Sequence, residues 1–251
     1  MAGLQPLSQR WARLRAWVLQ ASHLVLITGG LSALAALAAV SALAVNDFRT
    51  VRISHQNHAA MLARVLEDQA TRTMQTAELA LESLATSPAL TAVDSEPRRM
   101  QDALGQAMAA LSFLRGLAVV DAGGRVIAST LPGEAESFVD LAKLGPLVAS
   151  GRTVQGGLTP GRSLQSVRLG GTAVPAPPGV AFLPLMHGYK NDAGQALVLV
   201  ALVNPDSLSN FQHLTLESEI FDSVVTSYTG QVLATSGAAA ALAGTRVNHL
   251  P

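Results

Sequence analysis

An uncharged apolar stretch begins at Leu24, and an amphipathic stretch of similar length follows it. No residue from Leu24 to Val45 is charged, and this run exceeds the roughly 20 residues with which a helix crosses a bilayer core. From Leu62 to Leu84, apolar residues recur every three or four positions, with charged residues between them. This period predicts a long amphipathic helix that ends before Pro88.

Basic and aromatic residues before the apolar stretch predict its orientation. They are Arg10, Arg13 and Arg15, interleaved with Trp11 and Trp17. Basic flanks stay on the cytoplasmic side of a membrane, and tryptophan favours the interface. We therefore expect a cytoplasmic stub over residues 1–23, a transmembrane helix over 24–45, and a periplasmic region from about residue 46.

A cleaved signal peptide is the alternative reading of this segment. Ala42-Leu43-Ala44 resembles a cleavage site with small residues. The apolar part of a signal peptide spans only about 7–15 residues, however, so the length of the stretch favours a retained membrane anchor.

After Pro88 the pattern predicts one more helix and then a tight hairpin. The helix covers about Glu96–Leu111, with Asp94 or Ser95 as its cap. The period then changes, because two short apolar runs flank the Asp-Ala-Gly-Gly sequence that ends at Gly124. Such a sequence between apolar runs is typical of a β-hairpin in which a glycine adopts positive φ.

The remaining pattern predicts short elements. Pro184 argues for an edge position or a bulge in its strand. The expected strands are Gly116–Asp121, Arg125–Thr130, Ser166–Leu169, Val180–Met186, Ala196–Val203, Phe221–Ser227 and Gln231–Thr235, and the expected helices are Phe138–Val148 and Asp206–Leu214.

Two of these hairpins share a sequence. Gly124–Ser129 (GRVIAS) recurs as Gly230–Thr235 (GQVLAT), which predicts two lobes of one architecture. Little chain follows the second copy, and a lone hairpin is only marginally stable in water. We expect this last hairpin to pack on the long helix, to remain partly disordered, or to pair with another chain.

Composition excludes several functions. Formal net charge is zero, so the chain lacks the basic surface of a nucleic-acid-binding protein, and the absence of cysteine excludes thiolate chemistry.

His55 and His58 are too few for a metal site. The segment Gly156–Ser163 resembles a phosphate-binding loop but has arginine in place of the lysine. We therefore expect no catalytic residue, no metal and no cofactor.

The order of elements resembles the double-Cache (PDC, PAS-like) sensor regions of bacterial histidine kinases, diguanylate cyclases and chemoreceptors. The resemblance covers roughly residues 54–236 and rests on three phrases: LRGLAVVDAGGRVIAST, VAFLPLMHGYKNDAGQALVLVALVNPDSL and DSVVTSYTGQVLATS. It implies an α+β fold, in which an N-terminal transmembrane helix and a long helix precede a PAS-like antiparallel sheet. It further implies a helical stalk (46–112), a distal Cache lobe (113–205) and an incomplete proximal lobe (206–251).

The resemblance also implies a function. Such regions sense small extracytoplasmic ligands for a receptor of the bacterial inner membrane, and an output enzyme would lie in a C-terminal part that is missing here. We expect a homodimer that binds a small molecule, with a carboxylate or an amino acid as candidates, because arginine can grip a carboxylate bidentately. The candidate ligand-binding residues are Arg115, Arg125, Arg162, Arg168, Tyr189, Asn191 and Asp192.

Two alternatives stay open. The first is that the candidate binding residues are simply solvated residues of hairpins. The second is that the whole region is a structural or dimerisation module of a membrane protein and binds no ligand.

The predicted orientation can be tested with reporter fusions. Alkaline phosphatase fused after Asn46 should be active, because the predicted topology exports it to the periplasm. A fusion at Gln20 serves as the cytoplasmic control and should be inactive. Activity of a cytoplasmic reporter alone at Asn46 would contradict the orientation.

Overall fold

The computed structural model describes residues 7–170, 177, 179–216, 222–236 and 242–247. Helix α1 spans Leu7–Ala85, and the chain divides into two compact units, residues 1–61 and 62–251. Among the described residues, one helix is long and apolar enough to cross a membrane, and its most apolar window has a mean hydropathy of 1.8 and is fully exposed.

The predicted end of the long helix before Pro88 is confirmed. Helix α1 stops at Ala85, and Ser87 adopts an extended backbone conformation as the N-cap of the short helix α2 (Pro88–Thr91). Helix α3 (Pro97–Ala110) then follows, but Glu96 is its N-cap and makes no side-chain capping bond. The predicted capping by Asp94 or Ser95 is therefore wrong. Pro97 has no N–H, which leaves this helix start with one donor fewer to satisfy.

A six-stranded antiparallel sheet forms the centre of the second unit. Its strands are β1 (Leu114–Asp121), β2 (Val126–Ser129), β3 (Thr153–Gln155), β4 (Thr159–Pro160), β5 (Ala181–Lys190) and β6 (Ala196–Val203). Their order is β2-β1-β6-β5-β3, and β4 also pairs with β5. The predicted α+β class with a PAS-like antiparallel sheet is confirmed.

Two predicted elements between β2 and β5 are wrong. The expected helix Phe138–Val148 is reduced to one turn, α4 (Leu141–Leu144), because Pro146 disfavours helix at the residue before it. The expected strand Ser166–Leu169 is replaced by a 3₁₀ helix, Leu164–Val167. Local bonding explains this, since both the N–H and the hydroxyl of Ser166 donate to the carbonyl of Ser163.

Strand β5 is longer than predicted and continues through Gly188 to Lys190, so the turn before β6 is short. Pro184 lies within this strand, where β3 has ended and β4 has not yet begun. A proline cannot donate to a strand ladder. The interruption in the neighbouring strands therefore accommodates it, and its carbonyl accepts from the N–H of Gly156 at 2.8 Å.

The two faces of the sheet pack against different kinds of structure. One face packs against α1 and α3, and together they form the helix-side core. The buried residues of this core include Ala77, Leu81, Leu104, Leu117, Val119, Leu183, Leu185, Leu199 and Ala201. The other face packs against irregular chain, and together they form the loop-side core. The buried residues of this core include Val120, Val126, Val139, Leu144, Leu164, Phe182, Met186, Val200 and Leu202. Strands buried on both faces read as continuous apolar runs, as β6 does.

The sequence repeat corresponds to a structural repeat. Strands β7 (Val224–Thr226) and β8 (Val232–Thr235) pair with the same register irregularity as β1 and β2. Gly124 and Gly230 have φ values of 85° and 76°. Their carbonyls accept from the N–H groups of Val139 and Val247 at 2.8 and 2.9 Å. Two stretches of the chain thus repeat one hairpin and the return segment behind it.

The last hairpin packs against helix α5 (Pro205–Leu216), which begins one residue before the predicted start and ends two residues after the predicted end. Val232, Leu233 and Ala234 of β8 are buried. Gln231 also accepts from the N–H of Leu158 at 3.0 Å, next to strand β4. The helix that covers the apolar face of this hairpin is α5, whereas the first of the three predicted outcomes named the long helix. Phe221, the predicted start of β7, lies outside the described residues.

The turn at Gly124 provides a stability test. A Cβ built on Gly124 would lie 2.3 Å from the carbonyl oxygen of Val139 and would also require a left-handed backbone. We expect Gly124→Ala to lower the free energy of unfolding by about 1–3 kcal/mol. Gly123, whose φ is ordinary, is the matched control, and Gly123→Ala should cost less than about 1 kcal/mol. Equal denaturation midpoints for the two variants would contradict this account of the turn.

Candidate functional site

Irregular chain covers the face of the sheet opposite to the helices. We call residues 131–150 and 161–168 the loop layer. It contributes Val139, Leu144, Leu164 and Val167 to the loop-side core. Since this cover lacks long helices, hydrogen bonds between its own segments hold it in place.

Glu134 is the main polar link within the loop layer. Its side chain accepts from the hydroxyl of Ser129 at 2.5 Å and from the N–H of Leu164 at 2.7 Å. The residue is only 1% exposed. Burial raises the pKa of the Glu134 carboxyl, and its two hydrogen bonds partly offset that rise. Burying a carboxyl costs free energy unless hydrogen-bond donors satisfy it. The two donors to Glu134 therefore tie the start of the 3₁₀ helix, at Leu164, to the end of β2, at Ser129.

A cavity of about 140 Å³ lies between the loop layer and the ends of the central strands. The apolar residues of its wall include Leu141, Pro146, Leu147, Val148, Met186 and Val198. Leu147 is 93% exposed, so the cavity reaches the surface beside it. Pockets that bind small molecules are concave and mostly apolar, with a few polar groups for orientation. This cavity is therefore the candidate ligand site.

Tyr189 is the member of the predicted binding set that borders this cavity. Its side chain belongs to the helix-side core, and alternation along β5 gives the loop side to Met186 and Gly188. The hydroxyl is buried and has no hydrogen-bond partner among the described residues. Burial also raises the pKa of the Tyr189 hydroxyl.

His187, two positions before Tyr189 on the same face, was not among the predicted site residues. Its Nδ1 lies 2.8 Å from the hydroxyl of Thr153 on β3. Burial lowers the pKa of the His187 imidazole, while Glu82 and Glu78 of α1 act in the opposite direction. Buried polar groups therefore occur at the contact between β5 and α1 as well as near the cavity.

Arg115 makes contacts within the fold. Its guanidinium donates to Asn204 at 2.7 and 2.9 Å and to Asp206 at 2.6 Å. Its side chain is only 14% exposed. These bonds join β1 to the start of α5, so Arg115 has a structural role at the end of the sheet.

The other predicted residues lie apart from the cavity wall. Arg125 pairs with Glu136. Asn191 accepts from the N–H of Gln195 and so closes the β5–β6 turn. The N–H of Asp192 donates to the carbonyl of Thr91. Arg162 and Arg168 are exposed. The structure does not bring these side chains together into one site, and a ligand-binding role for them stays a prediction.

Sequence reasoning missed most of the cavity wall. Side chains two positions apart on a strand point to the same face. This rule could have placed Met186 with Gly188, and Ala196 with Val198, on one face of the sheet. The contribution of Pro146–Val148 could not be read from the sequence, because a short helix was expected there.

Comparison with known proteins identifies the fold. No protein-family model and no curated protein matches the chain. Among solved structures, an extracellular ligand-binding receptor from Desulfohalobium retbaense is similar with a TM-score of 0.54 and 12% identity. The match covers 74% of this chain and 32% of that receptor, so the chain spans about a third of the receptor's length.

Two chemoreceptor domains are also similar. The ligand-binding domain of the Pseudomonas aeruginosa amino acid chemoreceptor PctC, solved with GABA, has a TM-score of 0.51 and 14% identity, over 78% of this chain and 83% of that one. The domain of the Pseudomonas fluorescens chemoreceptor CtaA, solved with L-alanine, has a TM-score of 0.50 and 18% identity, over 76% and 75%. The fold is that of extracellular ligand-binding sensor domains, as the double-Cache resemblance implied.

Proposed function

We propose that this chain is the extracytoplasmic input module of a membrane-bound bacterial receptor and binds a small organic molecule in the cavity beneath the loop layer. The observation that carries the proposal is that the two faces of one sheet contact different parts of the molecule. One face packs on α1, and the other borders the cavity. A ligand that alters the loop side therefore acts on strands that also contact α1.

Helix α1 supports the signalling part of the proposal. It contains both the apolar membrane segment and the residues Ala77, Leu81 and Ala85, which pack on the sheet. A ligand shifts a conformational equilibrium only as far as its affinity differs between the two states. Signalling therefore requires two arrangements of the sheet against α1 that differ in their affinity for the ligand.

The finer parts of the sequence prediction belong to the same proposal. They are the N-terminus in the cytoplasm, the periplasm from about residue 46, the division into stalk and two lobes, homodimerisation, and an output such as a histidine kinase or a diguanylate cyclase. The titles of the similar chemoreceptor domains name GABA and L-alanine for those proteins, and the sequence prediction for this chain was likewise a carboxylate or an amino acid.

A ligand screen on the full chain in nanodiscs tests the proposal. At least one small organic compound should raise the calorimetric unfolding temperature in a dose-dependent way, because a ligand of the folded state stabilises it by mass action. At a hundredfold excess over Kd the gain in stability is about 2.7 kcal/mol.

The control for this screen is the membrane itself. Empty nanodiscs should show no matching transition. Gln106→Ala should respond to the compound like the unaltered chain, since Gln106 is exposed on α3, which packs on the opposite face of the sheet. Silence across a broad library would contradict ligand sensing and favour the structural or dimerisation module.

A further inference from the structure

We infer that the ligand of the loop-side cavity is an uncharged and predominantly apolar molecule, rather than a carboxylate or an amino acid. This inference rests on the proposed function and names the ligand class of that same site.

The wall offers no partner for a charged ligand. Among the described residues, none of the side chains that line the cavity carries a charge. An amino acid brings a carboxylate and an ammonium group together, and a buried charge needs a paired and hydrogen-bonded partner. Of the arginines predicted for this task, Arg115 binds Asn204 and Asp206, and Arg125 binds Glu136. Arg162 and Arg168 are exposed and lie outside the cavity wall.

Polar groups at the edge of the cavity are few and partly occupied. Ser150 supplies a hydroxyl, whereas the side chain of Tyr189 packs in the helix-side core. Gly188 borders the cavity, but its N–H donates to the carbonyl of Arg152 and its carbonyl accepts from the N–H of Gly151. The wall can therefore orient one neutral polar group, which is the pattern of a site for a mostly apolar molecule.

The size of the cavity agrees with this ligand class. Its volume is about 140 Å³, and an apolar cavity of about 150 Å³ in another protein stays dry and binds benzene. Leu147 beside the opening is almost fully exposed, so contact with an apolar ligand would remove part of its surface from water. A small ring or a short branched hydrocarbon chain fits these dimensions.

Methyl NMR of the full chain in nanodiscs, labelled with ¹³C at the methionine methyl groups, tests the inference. Met186 lines the cavity and reports on it, whereas Met100 in the helix-side core is an internal control. The probes are toluene and benzoate, which share a ring and differ in charge, together with L-alanine. We expect toluene to shift the Met186 signal saturably and to leave Met100 in place, while benzoate and L-alanine shift neither.

A matched pair of variants locates the binding. Ala196 is exposed and lines the cavity, so Ala196→Leu fills it from the rim without altering the core. Ala193 is exposed in the adjoining turn and lies outside the wall, so Ala193→Leu is the control. Ala196→Leu should weaken toluene binding by about tenfold or more, whereas Ala193→Leu should leave it unchanged.

The outcomes separate the two proposals. If benzoate or L-alanine shifts Met186 and Ala196→Leu abolishes the shift, the inferred ligand class is wrong and the cavity remains the binding site. If toluene has the same effect on both alanine variants, or if no probe moves Met186, the inference is overturned. The proposed function itself fails only if the broad screen is silent as well.

Discussion

The structure depends on the need to cover both faces of one apolar sheet. Strand β6 pairs with β1 on one side and with β5 on the other, so its main-chain groups are satisfied within the sheet. All eight of its side chains are apolar, and they project from both faces. Removing apolar surface from water stabilises the fold by about 25 cal/mol per Å², and neither face can be left bare. This requirement explains why α3, the second half of α1 and the loop layer pack on the sheet.

The two covers differ in kind, and that difference creates the site. Long helices seal one face with regularly spaced side chains from α1 and α3. The loop layer covers the other and relies on single polar links such as Glu134 to Leu164. Irregular chain fills space less completely at the ends of β5 and β6, where the cavity remains. A receptor can use such an asymmetry, because the side that admits a ligand and the side that contacts α1 share the same strands.

Much of the fold could be predicted from the sequence, and the reasons for the failures are local. The period of α1, the apolar arms of the β5–β6 hairpin and the glycine at 124 each have one physical interpretation, and the structure agrees with them. The loop layer was predicted poorly, because Pro146 and the hydroxyl of Ser166 decide its short elements. The site was harder still. Arginines were expected to bind ligand from their residue type, but Arg115 and Arg125 make internal contacts that depend on tertiary structure.

We expect the loop layer to be a cover that can open separately from the sheet, which the helices hold in place. Native-state hydrogen exchange of the full chain tests this most directly. The N–H of Asp140, bonded to Val167 within the loop layer, should exchange through a local opening with little dependence on denaturant. The N–H groups of Leu199 and Val200 in β6 should exchange only through global unfolding. Identical opening free energies and denaturant slopes for both groups would show that sheet and loop layer unfold as one unit, and would contradict the account.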